Sequence, residues 1–232
     1  AAMKMNIQEA VSVVGLFQKV SPNAFVALAA SGKLRQFVKG EHLFFDKDPV
    51  ETIYVVVSGL VSLYKTNAQG EKKVIFILDQ GKLINEVVLQ GTTASVNCEV
   101  FETAQVLCFN KYDFFDIMEH DFALTKGVLD SLSIKVRRTY RQLKNTSTAL
   151  RGDKRVAAKL WKLSKDFGVA GPGGTTITFN LSITYLADLL GLKRETVSRQ
   201  LKALAQQGLI RIENGRITIL DCDKLCEFFK AP

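Results

Sequence analysis

Apolar residues change their spacing twice along this chain. From Phe37 to Asn110 they come in short β-rich runs broken by Gly40, Gly59, Gly70, Gly81 and Gly91. Ile53–Val57 and Leu60–Tyr64 flank Ser58 and Gly59, Asn67–Gly70 turns into Lys73–Leu78, and Val96–Val100 and Ala104–Phe109 close the set. Many short strands at regular spacing predict an antiparallel barrel or jelly roll, which can enclose a small ligand. Tyr112–Phe115 then start a short helix, and Asp121 and Phe122 interrupt it. From about Leu124 the spacing lengthens. Leu129, Leu132, Val136, Thr139, Leu143, Thr146 and Leu150 recur at alternating threes and fours. This is a heptad seam on a long helix, weakened by two threonines. Arg137, Arg138, Arg141 and Lys144 surround it.

The spacing shortens again towards the C-terminus. Arg155–Leu163 predicts a first helix, and Gly168–Gly174 with Pro172 a surface loop. Ser182 can cap the next helix, in which Ile183, Leu186, Leu189 and Leu190 make one apolar face; Gly191 stops it. A further helix is expected from Arg194 to about Gln207, with Val197, Leu201 and Leu204 inward and Gly208 at its end. Leu209–Ile212 and Arg216–Ile219 flank Asn214–Gly215, a strong hairpin signal. Helix, glycine turn, helix and hairpin make a winged helix-turn-helix. Arg194, Glu195, Ser198 and Arg199 fall on the outer face of the second helix. Arginine can donate two bonds to guanine O6 and N7, glutamate can accept from cytosine N4, and serine is less selective. These four are the candidate base readers, and Ser182, Lys193 and Lys202 are candidate phosphate contacts.

Charge agrees with this placement. The 232 residues carry 31 Lys and Arg against 23 Asp and Glu, a net charge of +8. Residues 150–232 hold 14 of the cations and 8 of the anions, so most of the excess sits beside the helix-turn-helix, where it can attract phosphates. The four cysteines form no regular framework and suggest free thiols in a reducing cytoplasm. No secretory signal pattern and no apolar run near the roughly 18 residues of a membrane span is expected. Cys98 and Cys108 are expected in strand cores. Cys222 and Cys226 share a helix face, where half-buried thiols compete with a metal or redox role. An enzyme of the cupin type needs clustered histidines with a carboxylate. His42 and His120 stand 78 positions apart, so no enzymatic chemistry is expected.

The segment Arg194-Glu195-Thr196-Val197-Ser198-Arg199 resembles the recognition helix of the CRP/FNR superfamily of bacterial transcription regulators. Glu195, Ser198 and Arg199 are similar to the FNR branch, whereas Arg194 is similar to the cyclic AMP receptor branch. The resemblance runs from about Leu34 to Leu220. It implies an α+β chain: an effector-sensing β-roll over 1–122, a dimerisation helix and hinge over 123–149, and the winged helix-turn-helix over 150–232. It also implies a homodimer paired along Leu129, Leu132, Val136, Thr139 and Leu143, where the competing expectation is a helix packed on its own domain. The implied target is a palindromic operator with a G·C pair in each half, of TGTGA or TTGAT type, and RNA polymerase is an implied partner near the 168–174 loop. Ile183 stands where the family usually has a basic phosphate contact. Val57–Val61 and Gly81–Glu86 resemble parts of a cyclic-nucleotide roll, and Glu86 matches its ribose-binding glutamate. Thr92–Val96 has no arginine for a cyclic phosphate, which argues against cyclic AMP. Glu86, Lys82, Thr93, Ser95 and Arg141 remain the candidate effector pocket, with Glu86 expected to pair with a backbone group. No cysteine precedes Cys98, which argues against an iron–sulfur cluster, and lone histidines argue against haem. The cofactor is therefore unassigned. A regulatory module that acts on a protein partner is the alternative function.

Overall fold

The computed structural model describes residues 5–91, 93–147 and 152–231. Two compact units divide the chain, one of residues 1–65 and 74–145, the other of 66–73 and 146–232. The seam positions Thr146 and Leu150, the flanking Lys144 and the small residue Thr92 lie outside the described residues or side chains.

The first unit starts with α1 (Ile7–Val13) and α2 (Pro22–Ser31), two helices that sequence patterning did not mark. Asn6 and Glu9 close a capping box on α1, and Ser21 caps α2 ahead of Pro22. Strands β1 (Lys33–Phe37), β2 (His42–Phe44), β3 (Thr52–Thr66), β4 (Lys72–Leu78) and β5 (Asn97–Asn110) follow. The sheet runs in the order β1-β5-β3-β4, with β2 also on β5. It is antiparallel along β5, from Thr52 opposite Asn110 to Tyr64 opposite Asn97.

The runs 53–57 and 60–64 are one strand, not two, and 97–110 is likewise continuous. The register shifts between Val56 and Val61, so Ser58 and Gly59 form a bulge rather than a turn. Gly59 has φ of 81°, and a Cβ there would stand 2.3 Å from the Thr103 carbonyl oxygen. Only glycine fits, which is why an interior bend resembled a strand end.

Helix α3 (Lys111–His120) leads into α4 (Phe122–Ser147) through Asp121. Its carboxylate accepts the Leu124 N–H, capping α4, and the Ser21 N–H, both at 2.8 Å. Burial opposes the charge, but these bonds win and hold Asp121 below the usual carboxylate range. Leu124 and Val128 enter the core of the roll with Ile53, Val55, Val106 and Phe109.

The second unit contains α5 (Gly152–Phe167), β6 (Gly168–Gly171), β7 (Gly174–Ile177), α6 (Ile183–Leu190), α7 (Arg194–Gln206), β8 (Ile210–Glu213), β9 (Arg216–Ile219) and α8 (Cys222–Lys230). Its sheet runs β6-β7-β9-β8. The expected loop at 168–174 is therefore a hairpin, and the wing is half of a four-stranded sheet. Glycine hid these strands, because it carries no apolar signal. Gly174 nevertheless packs so tightly that a Cβ would lie 2.2 Å from the Ile219 carbonyl oxygen. Asn214 and Gly215 take φ of 50° and 76°, as the two-residue turn of the wing requires. Val156, Leu160, Phe179, Leu186, Val197, Leu201 and Ile217 are buried in this unit. Ile183, the first residue of α6, is not on that face but is 36% exposed.

Candidate nucleic-acid interface and sensor cavities

Helix α6 is fixed at both ends. The Ser182 hydroxyl accepts the Tyr185 N–H at 3.0 Å, and Gly191 closes the helix with φ of 61°. Arg155 of α5 donates to the Leu190 carbonyl at 2.5 Å, which ties the end of α6 to the rest of the unit. A short turn, Gly191–Lys193, then launches α7. Val197, Leu201 and Leu204 bury one side of α7. The other side presents Arg194, Glu195, Arg199 and Lys202 to solvent, with Ser198 half buried between them. All five line one open cleft with Ile183, Ala203 and Gln206. Among the described residues none of the four charged side chains has a hydrogen-bond or ion-pair partner. Lys193 occupies the N-cap of α7 without a side-chain cap bond, so no side chain takes up the first-turn N–H groups. Ser182 keeps its hydroxyl proton free to donate, and Ile183 offers no charge. The arrangement can donate to guanine or phosphate and accept from cytosine along one ridge.

The effector candidates do not gather in one place. Glu86 sits in a short turn, Glu86–Gln90, with only 1% of its surface exposed. It does not pair with a backbone group. Lys135 of α4 reaches its Oε2 at 2.5 Å, and the Ser131 hydroxyl donates to its Oε1 at 2.6 Å. The same ammonium donates to the carbonyls of Leu83 at 2.9 Å and Ile84 at 3.0 Å. Burial pulls Lys135 below the usual lysine range, and the Glu86 charge opposes that pull. Sequence reasoning missed Lys135, because its partner lies 49 positions away. The only local hint was Ser131 and Lys135 four apart on one helix face.

Ser95 lines a cavity of about 380 Å³ with Phe44, Ile84, Leu132, Lys135 and Tyr140, and this lining is mostly apolar. Lys82 lines a different cavity, whereas Thr93 and Arg141 are exposed and line neither. The heptad positions also divide. Leu129 (53% exposed), Val136 (46%) and Leu143 (62%) keep exposed surface with Phe122 and Tyr140, although Val136 and Tyr140 also line the 380 Å³ cavity. Leu132 instead packs on the core of its own unit, and Thr139 lines the 380 Å³ cavity and donates back to the Lys135 carbonyl. One part of this helix thus packs on its own unit, while Leu129, Val136 and Leu143 keep exposed apolar surface.

Cys98 and Cys108 are buried in β5; burial pushes both thiols up, Cys108 to about 11. Cys222 and Cys226 are half-buried on α8, and the Cys222 thiol lies 3.7 Å from the Thr175 hydroxyl. Among the described residues no three His, Cys, Asp or Glu side chains cluster as a metal site. No helix there is long and apolar enough to cross a membrane.

Known proteins carry the same two modules. Residues 34–121 match the Cyclic nucleotide-binding domain, and residues 154–228 match the Crp-like helix-turn-helix domain. The chain is 26% identical over 222 residues to the CRP-like cAMP-activated global transcriptional regulator of Mycobacterium tuberculosis, covering 94% of this chain and 98% of that one. It is 28% identical over 206 residues to the Global nitrogen regulator of Synechococcus elongatus, covering 86% and 92%. The solved structure of FixK2 from Bradyrhizobium japonicum shares the fold, with a TM-score of 0.75 at 21% identity over 84% of this chain and 96% of that one. A cyclic-nucleotide-binding-like domain followed by a Crp-like helix-turn-helix, matched along nearly the whole chain by regulators of this type, places the protein in the CRP/FNR superfamily of transcription regulators.

Proposed function

We propose that two copies of this chain pair along α4 and read a palindromic DNA operator with their α7 helices. One observation carries this reading: the unpaired, outward row of Arg194, Glu195, Ser198 and Arg199 on the first turn and a half of a helix fixed at its entry. The exposed stripe of Phe122, Leu129, Val136 and Leu143, seven residues apart, supports pairing of α4 with its copy. A two-fold dimer places two recognition helices on half-sites about one helical turn apart. Arg199 and Arg194 read guanine, Glu195 reads cytosine, and Ser198 reads or positions. Lys193, Lys202 and Ser182 hold phosphates. The exposed β6–β7 turn around Pro172 is the surface offered to RNA polymerase, and the protein works in the cytoplasm as a regulator rather than an enzyme.

The signal enters through the first unit. Both Glu86 oxygens are held by Lys135 and Ser131, which leaves them poorly placed to bind a ribose, and the lining of the 380 Å³ cavity is mostly apolar; both points argue against a cyclic nucleotide as the effector. A ligand that packs against Leu132, Thr139 and Tyr140 changes how α4 meets its copy. It must bind the DNA-competent arrangement more tightly than the other, or no shift follows. Selection from a random duplex pool tests the reading. It should enrich a palindrome with a G·C pair in each half, and enrichment of no shared sequence would defeat it.

A further inference from the structure

The first unit holds a second cavity, of about 360 Å³, that shares only Phe76 and Lys135 with the apolar one. The turn Gly15–Phe17, the end of β4, the Gly81–Leu83 corner and the first half of α4 enclose it. Its apolar lining is Leu16, Phe76, Leu78, Leu83 and Ile134. Gly127 lets α4 approach closely here, because a Cβ would stand 2.4 Å from Leu16 Cδ1.

Charge in this cavity is one-sided. Lys126 is neutralised by Asp130 at 2.7 Å, and Lys135 by Glu86 at 2.5 Å. Lys19, Lys82 and Arg138 also line it, and none of the three has a partner among the described residues. Arg138 follows Ile134 and Asp130 at steps of four, so α4 sets cation and apolar floor on one stripe. Lys82 comes in from the corner after β4 and Lys19 from the N-terminal turn. Asp130 and Ser131 already have partners, so sugar hydroxyls and base edges find few acceptors there. An apolar floor with three unpaired cations at its rim suits a different molecule.

We infer that this cavity binds an amphiphilic anion: a carboxylate or phosphate monoester carried on an apolar chain. The chain lies on Leu16, Phe76, Leu83 and Ile134, and the anion meets Lys82, Arg138 and Lys19. Burial of the chain supplies affinity, and charge-assisted bonds from arginine and lysine fix the orientation. Because Lys135 and Phe76 line both cavities, occupancy here reaches the Glu86–Lys135 pair. The site does not depend on the proposed DNA reading, and its binding is measured without DNA.

Isothermal titration of the full chain with decanoate, decyl phosphate and decanol tests this. Decanoate or decyl phosphate should bind once per chain, at least tenfold tighter than decanol, and should weaken with salt. A preference of either anion for the site identifies the headgroup, and equal affinity means that charge alone is read. Lys82→Ala with Arg138→Ala should weaken the anion at least tenfold, leave decanol unchanged and leave the melting temperature near that of the parent. Ile134→Asp should abolish binding of both. Decanol binding as tightly as decanoate, an anion affinity indifferent to either variant, or no binding at millimolar concentration overturns the inference.

Discussion

Helices α4 and α7 both carry basic side chains at helical spacing, yet they use them in opposite ways. On α7, Arg194, Arg199 and Lys202 stand in solvent without a partner among the described residues. On α4, Lys135 turns inward and spends all its donors on Glu86 and two carbonyls. A charge left unpaired on a rigid surface is available to an outside ligand. A charge paired inside a fold holds that fold together and is lost to ligands. The pattern explains how one chain can present cations on its helix-turn-helix while the carboxylate of Glu86 is held by its own α4. Arg138 lies between the two cases: it is on α4, but unpaired at a cavity rim.

Breaking the inner pair should have the largest effect. Lys135→Ala leaves a buried carboxylate with one hydroxyl partner, and should cost about 3–5 kcal/mol in urea unfolding of the full chain. Glu86→Leu combined with Lys135→Leu should recover most of that loss. A cost near zero for Lys135→Ala would erase the contrast between the two helices. Arg199→Ala probes the outer charges. It should cost about 1–3 kcal/mol in operator affinity and relax choice at one base pair, while stability moves by less than about 0.5 kcal/mol. Equal loss on every sequence would make Arg199 a phosphate contact. Ser182→Ala removes the α6 cap and should cost about 1 kcal/mol of stability in the second unit, seen as a lower denaturation midpoint. The smallest effect is a pH dependence. Asp121 is held below its ordinary range, so its contribution is complete above the unfolded carboxylate value, about 4, and is lost as pH falls through the lower folded value. Asp121→Asn should flatten that acid limb, which stability measured between pH 6 and 3 would reveal.

Much of the second unit was legible because its signals are local. Ser182, Gly191, Val197, Leu201 and the Asn214–Gly215 turn each act within a few residues, and all occupy the expected structural positions. The β6–β7 hairpin escaped because its glycines pack by backbone contact, which leaves no apolar trace. In the first unit the decisive contacts are distant in sequence. Nothing near Glu86 announces Lys135, and nothing near Gly59 announces Thr103 across the bulge. The heptad pattern placed Leu132 and Thr139 with Leu129 and Leu143, although one helix serves two faces here. Periodicity reports that a face is apolar, not which neighbour covers it.

The central claim is that the exposed row on α7 reads sequence as one half of a dimer. Fluorescence anisotropy of the full chain, titrated at about 150 mM salt onto a palindromic duplex and a scrambled duplex, tests it most directly. Two chains should bind per duplex, with a preference for the palindrome of roughly 10³ or more, most of it lost in Arg199→Ala. Equal affinity for both duplexes, or one chain per site, would contradict it.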